Sequence, residues 1–380
     1  MAQALGINAH LLHVPGGRWR LNTPSLVLDL DLLEENIARM ASLCASQSIA
    51  LRPHAKTHKS IEIARRQLQA GAVGICCAKL GEAEILAAGG IDSILVTSPV
   101  VSAEGCRRLA ALNRLCPDLM IVTDSAANVA DLAGAGAASG RPLKVLIDLD
   151  VGQHRTGIAP GEGALALADA IAATPHLMFA GIQGYAGHLQ HLHGRAARQA
   201  RTLAAMEMLA GTRAALEAAG HACPIVTGGG TGTFDLDPRA EVLTDLQAGS
   251  YVFMDGQYAE VWEADEERVP FATSLFVQVM VISANHPGIA TTDAGLKAFA
   301  TDAGPPLILA GAPEGTRYVL GSDEQGRLEL APGSSLAPGA MLTCAVPHCD
   351  PTVNLYDHYH VVRGDTLIDI WPVDARGRSQ

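Results

Sequence analysis

The most chemically suggestive stretch of the chain is RPHAKTHK at 52–59, where Lys56 closes a short apolar run among His54, Thr57 and His58. A lysine at the end of a buried strand is partly desolvated. Desolvation lowers its amine pKa from about 10.4 and frees the lone pair for Schiff-base chemistry. Further along, TGGGTGT at 227–233 gathers Gly228, Gly229, Gly230, Thr231, Gly232 and Thr233 into one turn. Glycines let backbone N–H groups approach an anion and threonine hydroxyls add donors, so this turn is a candidate phosphate cradle. Ala248-Gly249-Ser250 is the candidate for its second wall. A third cluster, PHCDPT at 347–352, sets His348 and Asp350 two residues apart. On an extended segment they share one face and Cys349 points the other way. An imidazole with a hard carboxylate, completed by waters, suits Mn²⁺ or Mg²⁺, with Zn²⁺ as the alternative. Each feature alone also reads blandly, as a surface lysine like Lys59, a tight turn and a hydrogen-bonded His–Asp pair. In one chain, the lysine and the phosphate turn together call for a phosphate-bearing aldehyde cofactor.

Such groups must be presented by a scaffold. Eight short apolar segments recur: LRPHAK at 51, GICCAK at 74, SILVT at 93, MIVTDS at 120, KVLIDLD at 144, FAGIQGY at 179, PIVTGGG at 224 and TDLQAGS at 244. Helical segments separate most of them. Residues 60–72 line up Ile61, Ala64 and Leu68, and residues 82–90 end in paired glycines. Ser102 caps a segment that groups Leu109, Leu112 and Leu115, and residues 195–219 form a long helix stopped by Gly220. After residue 230 the helical signal is weakest. Strand–helix alternation repeated eight times predicts a (β/α)₈ TIM-like barrel of about 250 residues. An open doubly wound sheet is the alternative, disfavoured because no G-x-G-x-x-G follows the first strand. Barrels present reactive groups at the C-terminal ends of their strands. That rule selects Lys56 after strand one, then Asp148, Asp150, Gln153 and Arg155 after strand five. Tyr185, His188 and His191 follow strand six, and the glycine turn follows strand seven, where barrels often bind phosphate.

Beyond residue 265 the pattern changes to β-type runs broken by Pro-Gly, Asp-Gln-Gly and Arg-Gly-Asp turns, which predicts a C-terminal antiparallel β domain. The organisation expected is a barrel over 22–264 and a β domain over 265–380 joined by 1–21. SLVLDLDLLEENIARM at 25–40 predicts a strand outside the eight, expected to cross into the β domain. A helix follows, with Asp31 as cap and Glu34 at its third position.

Composition excludes several classes of function. Twenty-seven basic against 39 acidic residues give a net charge of −12 without a basic cluster, which argues against nucleic acid as a partner. No apolar run approaches the ~20 residues of a membrane span. The first residues show no secretory pattern, so a cytoplasmic location is expected. The eight cysteines lie mostly in apolar runs and read as buried thiols. Cys76-Cys77 lacks the C-x-x-C spacing of a structural zinc site.

TPSLVLDLD (23–31), RPHAKTHK (52–59), GICCAK (74–79), DVGQHRTGI (150–158), TGGGTGT (227–233), LQAGSYVFMD (246–255), DAGLK (293–297) and PHCDPTVN (347–354) form a series. Over about residues 22–375 it resembles the D-threonine aldolase family of fold-type III pyridoxal-phosphate enzymes, whose near relatives are D-serine dehydratases and 3-hydroxyaspartate aldolases. The resemblance implies a homodimer with active sites at the subunit interface. It makes Lys56 the Schiff-base lysine of pyridoxal 5'-phosphate and Gly229, Gly230 and Thr231 the phosphate cradle. Arg155 becomes a contact to the cofactor ring, with Tyr185 and Ser250 as further cofactor-binding residues. His348 and Asp350 become ligands of a divalent metal, and His191 the catalytic base near the substrate hydroxyl, a role His188 could share. D-serine dehydratases of this fold carry His-x-Cys, whereas Asp350 matches the aldolases and a Mn²⁺-type ion. The implied activity is retro-aldol cleavage of a D-3-hydroxy amino acid to glycine and an aldehyde. The alternatives are D-serine dehydration, D-3-hydroxyaspartate cleavage, amino-acid racemisation and a non-catalytic cofactor-binding barrel. Three departures line the pocket: QGYAGHLQH (183–191) in place of a pattern closer to QAYHGSVQH, Ala78 where Gln is usual, and His154-Arg155-Thr156 in place of Gly-Arg-Cys.

Overall fold

A computed structural model describes residues 6–265 and 267–380. The chain divides into two compact units, one of residues 1–39, 57–60 and 250–376, the other of 40–56, 61–249 and 377–380. These bounds differ from the expected 22–264 and 265–380 with 1–21. Strand β1 (Ser25–Asp29) and the first part of helix α1 (Leu30–Ser46) belong with the C-terminal segments. The reason lies in β1 itself. Its Leu26, Val27 and Leu28 are wholly buried, which suits the interior of a mixed sheet.

In the second unit, eight parallel strands run β2 (Ala50–Leu51), β3 (Ile75–Cys77), β4 (Ser93–Val96), β5 (Asp118–Thr123), β6 (Leu143–Leu149), β7 (Leu177–Gly184), β8 (Ile225–Gly228) and β9 (Asp245–Leu246). These are the eight segments expected from the sequence. Their order in space is β2-β9-β8-β7-β6-β5-β4-β3. The residues after β2 then close the sheet on β3, with Ala55 N–H donating to Cys76 O and Cys76 N–H to Pro53 O. Helices α2 (Ile61–Gln69), α3 (Leu80–Ala88), α4 (Ala103–Leu115), α5 (Ala126–Ser139), α6 (Glu162–Ala173) and α7 (Arg195–Ala218) make the crossovers. Cys76, Leu95, Met120, Val122, Leu146 and Ala180 form one core cluster from five successive strands.

Local details refine the expectations. Ser102 caps α4 through Gly105 N–H at 3.0 Å, as its residue type favours. The cap of α1 is Asp29, which accepts from Leu32 N–H, and not Asp31. Asp31 and Glu34 instead bind Arg363, at 3.2 and 3.0 Å. Helix α2 buries Ile63, Ala64 and Gln67 most deeply, with Ile61 and Leu68 partly buried beside them. Leu115 is 55% exposed, because it is the last residue of α4. After β8 only a 3-10 turn forms, at Asp237–Ala240, which agrees with the fading helical signal there.

In the first unit, β1 is flanked by β10 (Leu275–His286), antiparallel, and β16 (His358–Arg363), parallel. β11 (Ile289–Thr292), β12 (Leu307–Ala310), β13 (Arg317–Leu320), β14 (Gly326–Glu329), β15 (Met341–Ala345) and β17 (Thr366–Pro372) complete an otherwise antiparallel sheet. Leu11, Leu21, Val27, Phe276, Val362, Leu367 and Ile370 form its core cluster, so the N-terminal 3-10 turns are packed against this sheet. Helices α8 (Gly256–Glu263) and α9 (Cys349–Val353) belong to the same unit. Among the described residues no helix is long and apolar enough to cross a membrane.

Candidate active site

Lys56 lies five residues beyond β2, half-buried, with Leu51 to Ala55 before it and Thr57 to Ser60 after it all buried. Its N–H donates to His54 Nδ1 at 3.3 Å, and His54 Nε2 lies 3.1 Å from Thr97 Oγ1, next to the end of β4. The lysine turn is thereby pinned to the strand-end rim. Lys59, which the sequence offered as the surface-lysine comparison, is itself buried, with a left-handed φ of 50°.

The glycine turn follows β8, which β9 separates from β2, so both anchors stand at the same ends of near neighbours. The turn is wound around two side chains that sequence reading did not single out. Gln190 Oε1 accepts from Gly232 N–H at 2.9 Å, and its Nε2 donates to Thr233 Oγ1 at 3.0 Å. Asp237 Oδ2 accepts from Thr233 Oγ1 at 2.6 Å and from Gly230 N–H at 3.3 Å. A Cβ at Gly230 would meet Gln190 at 2.4 Å, and one at Gly229, where φ is +71°, would meet Asp237 at 2.4 Å. Burial raises the Asp237 carboxyl to about 7 against these hydrogen bonds. Thr231 is buried in the same turn. The amides of Gly230 and Gly232 thus serve the turn's own shape.

Two further strand ends carry polar groups. Asp148 on β6 accepts from Thr156 Oγ1 at 2.8 Å and Gln183 Nε2 at 2.9 Å, and burial still raises its pKa. Asp150 takes the amides of Gly152 and His154 at 3.0 Å each and His154 Nδ1 at 2.7 Å, which fixes the loop bearing Arg155. The Arg155 guanidinium lies 5.4 Å from the centre of the Tyr185 ring, a cation–π pair. His191 is half-buried and His188 exposed on the loop after β7. Partial desolvation, then the nearby Arg201, lowers the His188 pKa.

In the other unit, PHCDPT does not run as an extended segment. His348 is the N-cap of α9, and Asp350 occupies its first turn. Cys349 therefore does not point away: its Sγ lies 3.4 Å from Asp350 Oδ2. That oxygen also accepts from Thr57 Oγ1 at 3.1 Å and Ser250 Oγ at 3.4 Å. Thr57 is the residue after Lys56 in the chain. It is held in this unit because the next residue's carbonyl, His58 O, accepts from Tyr359 OH at 2.6 Å. Ser250, expected as a phosphate wall, stands here between Thr57 and Asp350. Asp255, also unforeseen, accepts Cys349 N–H at 2.8 Å while capping α8. Burial, then Asp255 and Asp350, pushes the Cys349 thiol well above its ordinary pKa, so it stays protonated.

These residues fit pyridoxal phosphate: a half-buried lysine and a glycine turn too tight for any Cβ stand at the same end of one parallel sheet. They also fit a hard divalent ion. Among the described residues no group of three or more His, Cys, Asp or Glu side chains gathers in metal-binding geometry. His348 and Asp350 offer one imidazole and one carboxylate, donor types that such an ion takes together with water.

The family described as "Alanine racemase, N-terminal domain" matches residues 28–257, and "Putative serine dehydratase domain" matches residues 274–362. A D-threonine aldolase of Arthrobacter sp. is 41% identical over 366 residues, covering 95% of this chain and 94% of that protein. The chain belongs to the D-threonine aldolase family. A second relative, 3-hydroxy-D-aspartate aldolase of Paracoccus denitrificans, is 37% identical over 363 residues, 94% of this chain and 93% of its own. Among solved structures, D-threonine aldolase from Filomicrobium marinum matches with a TM-score of 0.90 and 38% identity. That match covers 95% of this chain and 97% of the other. The family's barrel and β-sheet segments thus span the lysine, the glycine turn and the His348–Asp350 pair.

Proposed function

We propose that this chain is a pyridoxal-phosphate-dependent lyase that cleaves D-3-hydroxy amino acids of the D-threonine type into glycine and an aldehyde, assisted by a divalent cation on His348 and Asp350. The observation that carries this reading is the carboxylate at position 350, held by Thr57 and Ser250 beside a thiol that stays protonated. A thiolate there suits a soft ion, whereas a carboxylate suits Mn²⁺ or Mg²⁺.

Bound pyridoxal phosphate supplies the electron sink for the pair released at Cα. The cation supplies Lewis acidity toward the substrate's β-hydroxyl oxygen. Lys56 would hold the cofactor through its ε-amine. Gly229, Gly230, Thr231 and Ser250 would bind its phosphate, and Arg155 and Tyr185 would bind its ring. His191 accepts the β-hydroxyl proton, directly or through a water. The O–H pair then becomes the new carbonyl bond, Cα–Cβ breaks, the aldehyde leaves, and a proton returned to Cα from the protonated base or water completes glycine. His188, whose pKa is lowered by partial desolvation and then by Arg201, is the second candidate acceptor on that loop.

Product analysis on D-threonine, D-phenylserine, D-3-hydroxyaspartate and D-serine, with and without Mn²⁺, tests the reading. Glycine and acetaldehyde from D-threonine are expected. Pyruvate and ammonia from D-serine as the dominant products would make the chain a dehydratase and overturn the reading.

A further inference from the structure

One histidine nitrogen in the proposed metal pair is already committed. His348 Nδ1 lies 2.6 Å from Asp302 Oδ2, a carboxylate 46 positions earlier in the chain. The contact is held by the backbone on both sides. Thr352 Oγ1 donates to His348 O at 2.7 Å and accepts from Ala300 N–H at 3.0 Å, and both groups are buried near it. One hydroxyl thus ties α9 to the segment carrying Asp302. Tyr356 OH donates to Ala298 O at 2.9 Å, and buried Phe299 lies edge-on to Tyr318 with ring centres 5.6 Å apart. Asp302 itself is exposed, with 54% of its side chain open. A partly exposed contact of this kind stabilises a fold by about 1 kcal/mol or less, so stability is a weak reason for such anchoring.

We infer that Asp302 is a positioning residue for the metal site. Its carboxylate accepts the Nδ1 proton of His348, fixes the ring's tautomer and rotation, and leaves the Nε2 lone pair to the cation. Carboxylate–histidine–metal arrangements of this kind raise ligand basicity, and losing the outer carboxylate commonly weakens metal binding about 10–100-fold. The inference rests on the reading that His348 holds the cation.

The test is a titration of the full-length, cofactor-loaded, EDTA-dialysed enzyme with Mn²⁺, following free Mn²⁺ by electron paramagnetic resonance. Asp302→Ala is expected to weaken Mn²⁺ binding about 10–100-fold. It should leave the cofactor absorption unchanged and recover turnover at saturating Mn²⁺. Asp302→Asn keeps an acceptor oxygen and should lose less. His348→Ala is the benchmark. Undiminished Mn²⁺ affinity in His348→Ala would overturn the metal assignment and this inference with it. Loss in His348→Ala but not in Asp302→Ala would overturn the inference alone. A loss in Asp302→Asn as large as in His348→Ala would make Asp302 a ligand and also sink the positioning role.

Discussion

Lys56 and Asp237 illustrate how burial sets chemistry one residue at a time. Lys56 is half-buried in a buried turn anchored by His54, which makes its amine the candidate for Schiff-base formation. Lys56→Ala should abolish both the visible absorption of bound cofactor and turnover; a variant with normal turnover would refute the assignment. Asp237 makes a different prediction. Its carboxyl rises from 3.8 to about 7 on folding because it is buried behind the glycine turn. Between those values the folded chain binds more protons than the unfolded one, so this group's contribution to stability falls as pH rises from about 4 to 7. The full cost above pH 7 is on the order of 4 kcal/mol. Asp237→Asn keeps an acceptor for Thr233 and Gly230 and removes the titration. The variant should unfold at higher temperature than the parent at pH 8 and at nearly the same temperature at pH 4.5. An equal difference at both pH values would show that the carboxyl does not titrate in this window.

At the scale of elements, α9 brings His348 and Asp350 to one helix start, with the protonated thiol of Cys349 beside Asp350. EDTA should therefore silence the enzyme and Mn²⁺ restore it, and indifference to chelation would remove the metal from the reaction. Iodoacetamide at pH 7 should leave Cys349 unmodified, because the thiolate is the reactive form and this thiol is fully buried. Carboxymethylation found there by mass spectrometry would contradict both burial and protonation. The contrast between α9 and the barrel strands shows what the sequence discloses. KVLIDLD and SILVT read as strands because β-branched apolar runs of that length have few other uses. The Ser102 cap was legible for a similarly local reason. PHCDPT was legible as a donor pair but not as a helix start. Five helical residues give no period, and Asp255 takes the first amide from far away. Gln190, Asp237 and Asp302 escaped because each acts across a fold-dependent distance, and isolated Gln and Asp residues carry no local signal.

At the scale of the whole molecule, the sequence disclosed the barrel alternation and the later change to β runs, but not the path of the chain between them. β1 was anticipated to cross over, yet residues 57–60 also change unit directly after Lys56, and no composition shift marks that point. Such a crossing is set by pairing, as Tyr359 with His58 O and Ala375 N–H with Lys59 O demonstrate. Pairing also leaves a strand with apolar side chains exposed. Among the described residues β12 pairs only with β15, and Leu307 and Leu309 are each 52% exposed on it. An apolar edge strand in a chain of net charge −12 is a liability for a lone protomer and an asset for a self-associating one. The chain should therefore sediment at twice its 39.5 kDa mass. Leu307→Lys combined with Leu309→Lys should shift it toward the protomer at equal protein concentration. A parent protein sedimenting as a protomer would exclude the dimer, and a double variant that stays dimeric would place the interface on another face.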